Sequence, residues 1–177
     1  MYRINKLLKS DHQLYHSNDL AVLWGITNKN TLYTTVKRYV QKGILIPIHK
    51  GLYSAVPLST LDPSSLGLAV IHRYAYVSTE SILFRAGVIS QPPTFHTFVT
   101  SVSQKTQVGT FSFLYRKLAD RYLFNPSGLI YKDGTAMASA ERAVADLLYF
   151  SPRYYFDLPG AVNWKKVKSI QKEVGYT

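Results

Sequence analysis

Ser17 to Ser54, SNDLAVLWGITNKNTLYTTVKRYVQKGILIPIHKGLYS, is the stretch whose reading decides the fold. Ser17 has the side chain of a helix N-cap, and Asp19 sits in the first turn where the helix dipole favours an acid. Leu20, Leu23 and Trp24 recur at the spacing of one helix face, and Gly25 closes this short helix with Ile26 packing back beneath the turn. Thr27, Asn28 and Asn30 are each able to cap the helix that follows. From Thr31 to Lys42 the apolar residues Leu32, Val36, Tyr39 and Val40 again share one side, and Gly43 stands where a left-handed residue ends a helix.

The opposite side of that second helix carries Asn30, Thr34, Lys37, Arg38 and Gln41. Asn and Gln can bond an adenine edge through two atoms, Thr can touch a thymine methyl, and Lys and Arg can reach guanine or phosphate. Ile44 to Ile48 has strand character, His49-Lys50-Gly51 makes a tight turn, and Leu52 to Ser54 returns. Pro47 suits an edge strand, where its missing N–H faces solvent. Short helix, turn, basic helix and hairpin together predict a winged helix-turn-helix, with His49 and Lys50 at the tip of the wing over a phosphate backbone or minor groove. A small packing unit with solvated charges is the plainer reading of the same pattern.

Working outward, residues 2–10 suggest a preceding helix, and Gln13 to His16 a short strand able to pair with the wing. The stretch from Val56 to Pro63 breaks regular structure, which places a first domain at 1–57 and a second at 64–177. In the second, Ser64 to Tyr74 reads as helix, and Ser78 as the cap of a helix over Thr79 to Ala86 closed by Gly87. Phe95 to Val102 and Thr110 to Tyr115 read as strands joined by a polar turn at Gly109. Leu129 to Tyr131 and Thr135 to Ala138 flank Asp133-Gly134, a strong hairpin signal. Ser139 caps a helix burying Ala143, Val144, Leu147 and Leu148, and Trp164 to Glu173 forms a basic amphipathic helix. The expected fold class is α+β, a winged helix-turn-helix followed by a mixed α/β domain.

Charge points the same way. The 177 residues hold 21 Lys+Arg against 10 Asp+Glu, a net of +11, which favours nucleic acid or an acidic protein partner. Residues 1–57 contribute eight basic and two acidic residues, a net of +6. The N-terminal stripe of Ile4, Leu7 and Leu8 is too short for a good interfacial helix, so membrane-surface binding is not expected. No apolar run approaches the ~18–20 residues of a membrane span. The absence of cysteine excludes disulfides and thiolate metal sites and is compatible with a cytoplasmic protein.

Signals for catalysis are missing. No Asp or Glu stands two positions before a lysine, as the common metal-dependent nuclease element requires, and no glycine is followed by lysine, as a phosphate-binding loop requires. His12 and His16 are spaced to share a helix face but lack a third ligand or an intervening general base, so no metal or cofactor is expected. No serine sits in a G-x-S-x-G elbow. The chain reads as a binding protein. An orphan winged-helix regulator without a toxin, a protein-interaction module with an aromatic surface around Tyr149, Phe150, Tyr154, Tyr155 and Phe156, RNA binding through exposed aromatics, and a nucleic-acid-processing enzyme are the alternatives.

Three runs, NTLYTTVKRYVQKGILIPIHKGLYS at Asn30–Ser54, YVSTESILFRAGVI at Tyr76–Ile89 and SAERAVADLLYF at Ser139–Phe150, closely resemble the AbiEi antitoxins, the DNA-binding halves of type IV abortive-infection toxin–antitoxin systems. The likeness extends from about Leu14 to Phe156 in order and spacing; the chain ends at Thr177, where such proteins often continue with further helices. It implies an N-terminal winged helix that binds inverted repeats in the operon's own promoter, and a C-terminal domain that counteracts a nucleotidyltransferase toxin. By that resemblance Thr31, Tyr33, Thr34, Lys37 and Arg38 belong to the recognition helix and Lys50-Gly51 to the wing turn. Ser78 and Glu80, and Glu141 and Arg142, match family positions in the second domain. The plainer roles there are a cap, first-turn acids and a local ion pair, and Arg38 could equally brace the first module against the C-terminal domain.

Overall fold

The computed structural model describes residues 3–176. Two compact units divide the chain, residues 1–70 and 71–177. Among the described residues there are eight α-helices and two β-sheets, an α+β arrangement. The stretch expected to separate the domains holds a 3-10 turn, Leu58–Thr60, and leads into a helix at Pro63–Ile71 whose last turn contains the division.

The first unit runs α1 (Arg3–Leu8), β1 (Leu14–His16), α2 (Ser17–Trp24), α3 (Lys29–Gln41), β2 (Ile46–His49), β3 (Leu52–Ser54) and α4 (Pro63–Ile71). Tyr2, the expected first residue of α1, lies outside the described residues. The strands pair antiparallel in the order β1-β3-β2, so the segment before α2 closes onto the hairpin. Pro47 lies on the edge strand, and the register slips between Pro47 and His49, a bulge at Ile48. Leu7 of α1, Tyr15 of β1, Leu20 and Trp24 of α2, Leu32 and Val36 of α3, and Ile26 and Leu45 from the connecting segments form the core.

Two details of this unit depart from the expectation. The N-cap of α2 is His16, not Ser17: the Asp19 carboxylate accepts the His16 N–H at 2.7 Å, and Ser17 is the first helical residue. His12 precedes β1 and His16 ends it, so the two share no helix face.

The second unit contains β4 (Ala75–Val77), α5 (Glu80–Arg85), β5 (His96–Thr100), β6 (Gln104–Val108), β7 (Phe111–Lys117), α6 (Asp120–Leu123), β8 (Leu129–Lys132), β9 (Thr135–Ala138), α7 (Ala140–Phe150) and α8 (Trp164–Val174). Its sheet has the order β6-β7-β5-β4-β9-β8, with β4–β9 and β5–β7 parallel and the other neighbours antiparallel. The polar turn expected before Gly109 is β6, an edge strand of mostly exposed residues (Gln104, Lys105, Gln107) whose polarity hid it. Similarly, the helix read through Tyr74 stops at Ile71, and β4 follows. Thr79, not Ser78, is the residue at the start of α5. The Asp133-Gly134 hairpin is present, with both residues at positive φ, 49° and 75°.

Arg142 and Asp146, one turn apart on α7, are both 0 % exposed. Every guanidinium hydrogen has an acceptor. Nε donates to Asp146 Oδ1 at 2.8 Å, Nη1 to the Ser127 and Asn125 carbonyls at 2.7 and 3.1 Å, and Nη2 to Tyr76 Oη and the Tyr122 carbonyl at 2.8 and 3.3 Å. Asp146 accepts in addition from Ser78 Oγ at 2.7 Å, Tyr76 Oη at 3.1 Å, and Tyr176 Oη. Burial disfavours the guanidinium charge, and the adjacent carboxylate more than restores it, so its pKa lies above the ordinary arginine value. Burial, reinforced by Asp146, likewise pushes the Tyr76 and Tyr176 phenols far above theirs. A Cβ on Gly128 (φ 72°) would stand 2.7 Å from Arg142 Cβ, so the chain passes this arginine only as glycine.

Removing one partner of such a pair leaves the other charge buried without compensation. Asp146→Ala is expected to lower the stability of the protein by about 3–5 kcal/mol in urea unfolding followed by circular dichroism. A loss of less than about 1 kcal/mol, the range of an exposed pair, would show that the pair does not organise the unit.

Candidate nucleic-acid interface

Helix α3 has two unequal faces, and its caps fix which residue lies on which. Of the three candidate caps it is Asn28 that serves, its Oδ1 accepting the Thr31 N–H at 3.1 Å. At the other end Gly43 adopts φ 68°, and the Ile44 N–H turns back to the Tyr39 carbonyl at 2.9 Å. Between these points Leu32, Thr35 and Val36 are buried, and Tyr39 and Val40 are half-buried against the core. Trp24 of α2 meets the Tyr39 ring with centroids 5.1 Å apart, which sets α3 against α2. The Thr35 hydroxyl accepts from Arg3 Nη1 at 3.3 Å, tying α1 to the inner side of α3.

With that face inward, Asn30, Thr31, Tyr33, Thr34, Lys37, Arg38 and Gln41 are all exposed. Tyr33 keeps 57 % of its surface, so its ring is open to solvent. Thr31 is partly committed to the cap, its hydroxyl 3.4 Å from Asn28 Oδ1. Among the described residues Lys37 and Arg38 form no ion pair with a carboxylate, so Arg38 braces no acid within its unit.

The hairpin supplies the other two expected residues. His49 and Lys50 are exposed at the β2–β3 turn, where Gly51 takes φ 72°. The Gly51 carbonyl accepts the Ser17 N–H at 2.9 Å and Ser17 Oγ at 3.4 Å, which anchors the turn to the first residue of α2. That anchor went unread in the sequence, where Ser17 looked like a cap. All nine expected residues therefore belong to one unit, on α3 and the hairpin tip, and all are solvent-exposed. Amides, hydroxyls and unpaired cations on one exposed helix face can form hydrogen bonds to base edges and phosphates.

The positions singled out in the second unit have fold-holding partners. Ser78 is buried and donates to Asp146; Glu80 pairs with Arg116 on β7; Glu141 lies 3.7 Å from Lys166; Arg142 is the centre of the buried network. In the aromatic run near the end of α7, Phe156 is 7 % exposed and Tyr155 80 %, so the five residues form no single exposed face. Among the described residues no three His, Cys, Asp or Glu side chains gather where they could hold a metal ion, and no helix is long and apolar enough to cross a membrane.

No family model matches the chain, and no curated protein matches it. Its fold does have a counterpart. The crystal structure of the RV2827C protein from Mycobacterium tuberculosis superposes with a TM-score of 0.58 at 10 % identity, covering 96 % of this chain and 69 % of that one. At that identity the likeness is one of fold.

Because Asn28 starts α3 and Lys37 only decorates it, their substitutions separate. Asn28→Ala should cost about 0.5–2 kcal/mol of stability. Lys37→Ala should stay within about 0.5 kcal/mol of the wild type. Equal losses in urea unfolding would mean that Lys37 belongs to the packing and not to a free surface.

Proposed function

We propose that the first unit is a winged helix-turn-helix that binds duplex DNA, with α3 in the major groove and the β2–β3 wing on the flanking backbone. The observation that carries this reading is the exposed set Asn30, Thr34, Lys37, Arg38 and Gln41 on one face of a helix whose other face is in the core. Such a face combines residues that read base edges with cations that neutralise phosphate. The net +6 of residues 1–57 adds the long-range attraction that brings a duplex to it.

The resemblance to the AbiEi antitoxins extends the reading. On it, the chain is a cytoplasmic, sequence-specific repressor of its own operon, and its second unit counteracts a nucleotidyltransferase toxin as the antitoxin of a type IV pair. The runs that carry the resemblance in that unit, around Ser78–Glu80 and Glu141–Arg142, supply fold-holding groups. They support a common scaffold, and a toxin would be met by other surfaces of the unit. No step of this function calls for catalysis, a metal or a cofactor.

A gel-shift with the DNA upstream of the protein's own gene, against excess random duplex at ~150 mM salt, tests the proposal, since dilute buffer exaggerates nonspecific binding. The shifted complex is expected to survive the competitor. Lys37→Ala and Arg38→Ala should each weaken it, by about 1–3 kcal/mol where the contact is to a base edge, or with a salt dependence shallower by about one phosphate where it is to the backbone. Binding that random duplex abolishes, or affinity untouched by both substitutions, would overturn the assignment of α3.

A further inference from the structure

Helix α3 exposes two kinds of side chain, and its buried face tells them apart. Leu32, Thr35 and Val36 fix the direction of the core. At about 3.6 residues per turn, the exposed Asn30, Thr34, Lys37 and Gln41 stand within about 35° of the direction straight away from it. Tyr33 on one side, and Arg38 and Thr31 on the other, stand about 65–90° round the helix from that direction. The exposed face therefore divides into a central ridge and two flanks. Thr31 is set apart further, because its hydroxyl donates to Asn28 Oδ1 at 3.4 Å. Among the described residues the side chains of Asn30, Thr34 and Lys37 have no hydrogen-bond or ion-pair partner.

A helix in the major groove turns the ridge opposite its packed face toward the base edges, and its flanks toward the phosphates on either wall. Asn30 and Gln41 are about 16 Å apart along the axis, too far for a straight helix to stay on the floor of a curving groove ~12 Å wide. One end of the ridge therefore lies deeper than the other. Side-chain length says which. Asn30 and Thr34 are short and reach a base only where the backbone is close to it. Arg38, Gln41 and Lys42, toward the other end, are long enough to span a gap. The N-terminal half is the deep end, as in other recognition helices that dock this way.

We propose that Asn30, Thr34 and Lys37 read bases while Arg38, Tyr33 and Gln41 hold phosphates, which deepens, and rests on, the DNA-binding reading of α3. The Asn30 amide donates to adenine N7 and accepts from its N6 amino group, and the Thr34 methyl packs against the methyl of thymine. The Lys37 ammonium has donors only, so it suits the O6 and N7 acceptors of guanine. Asn30 and Lys37 are about 10 Å apart along the axis, about three base-pair steps of ~3.4 Å. The preferred site is thus about four base pairs, with an adenine at one end, a guanine at the other and a thymine between them. Arg38, with its planar fork, grips phosphate without regard to sequence.

The test uses the full chain at ~150 mM salt and the duplex upstream of its own gene, with each base pair of the bound segment exchanged in turn. Wild-type protein should discriminate against exchange at a few adjacent pairs by about five- to 150-fold each, the worth of one good base contact. Asn30→Ala should lose discrimination at one A·T pair, and Lys37→Ala at one G·C pair about three steps away. Uracil in place of the thymine between them removes only a methyl; it should weaken binding by the wild type and leave binding by Thr34→Ala unchanged. Arg38→Ala should weaken binding to every duplex alike, keep the discrimination, and lower the slope of log affinity against log salt by about 0.9. All four side chains are exposed, and circular dichroism checks that each variant folds. Selective binding in which Arg38→Ala abolishes discrimination at one pair, or in which Asn30→Ala and Lys37→Ala leave discrimination intact, would overturn this division of the face while α3 remains the DNA-binding helix. Wild-type binding with no preference among the duplexes would overturn the division and the sequence-reading role of α3 together.

Discussion

Helix α3 can bury only one face, and the arrangement of the first unit follows from that constraint. Leu32 and Val36 are the large apolar side chains of its central turns, and both are committed to the core with Trp24, Leu20 and Leu45. Rotating α3 to hide Lys37 and Arg38 would bring these two into water and put two unpaired charges in an apolar interior. The hairpin is fixed in the same way, since Leu52 of β3 is 1 % exposed and the Gly51 carbonyl is held by Ser17. What α3 and the hairpin tip present to solvent is a consequence of what they bury.

In the second unit the corresponding constraint is electrostatic. Arg142 and Asp146 are withdrawn from water, and their remaining hydrogen-bonding capacity is met by Tyr76 of β4, Ser78, the segment 122–127 and Tyr176. A buried pair of this kind contributes little net stability over apolar packing of the same shape, but it penalises every arrangement in which one of its partners is missing. Gly128 is subject to the same constraint, because a side chain there would collide with Arg142.

The sequence made the first unit legible because its signals are local. Gly25, Gly43 and the Lys50-Gly51 turn each announce a boundary, and one amphipathic helix sorts its own residues into two faces. In the second unit local signals were enough for the Asp133-Gly134 hairpin and for the Ser139 cap, whose Oγ accepts the Arg142 N–H at 3.1 Å. They failed where long-range pairing overrides propensity. β6 is polar because it is an edge strand, and β4 is a three-residue strand whose partners, β5 and β9, come later in the chain. Ser78 looked like a cap because the carboxylate that takes its hydroxyl lies 68 residues away. Of the candidate site, seven of the nine exposed residues could be read from periodicity and a turn, while Thr31 and Tyr33 came from the family resemblance. The anchor through Ser17 could not, because it joins residues distant in sequence.

Amide hydrogen–deuterium exchange, with and without the duplex from the protein's own promoter, reads the surface that meets DNA without altering any side chain. At ~150 mM salt, where specific contacts dominate over the general attraction of a basic chain, new protection is expected in α3 from Lys29 to Gln41 and across the β2–β3 turn at His49–Gly51. Protection confined to the second unit, with these two segments exchanging as in the free protein, would contradict the account.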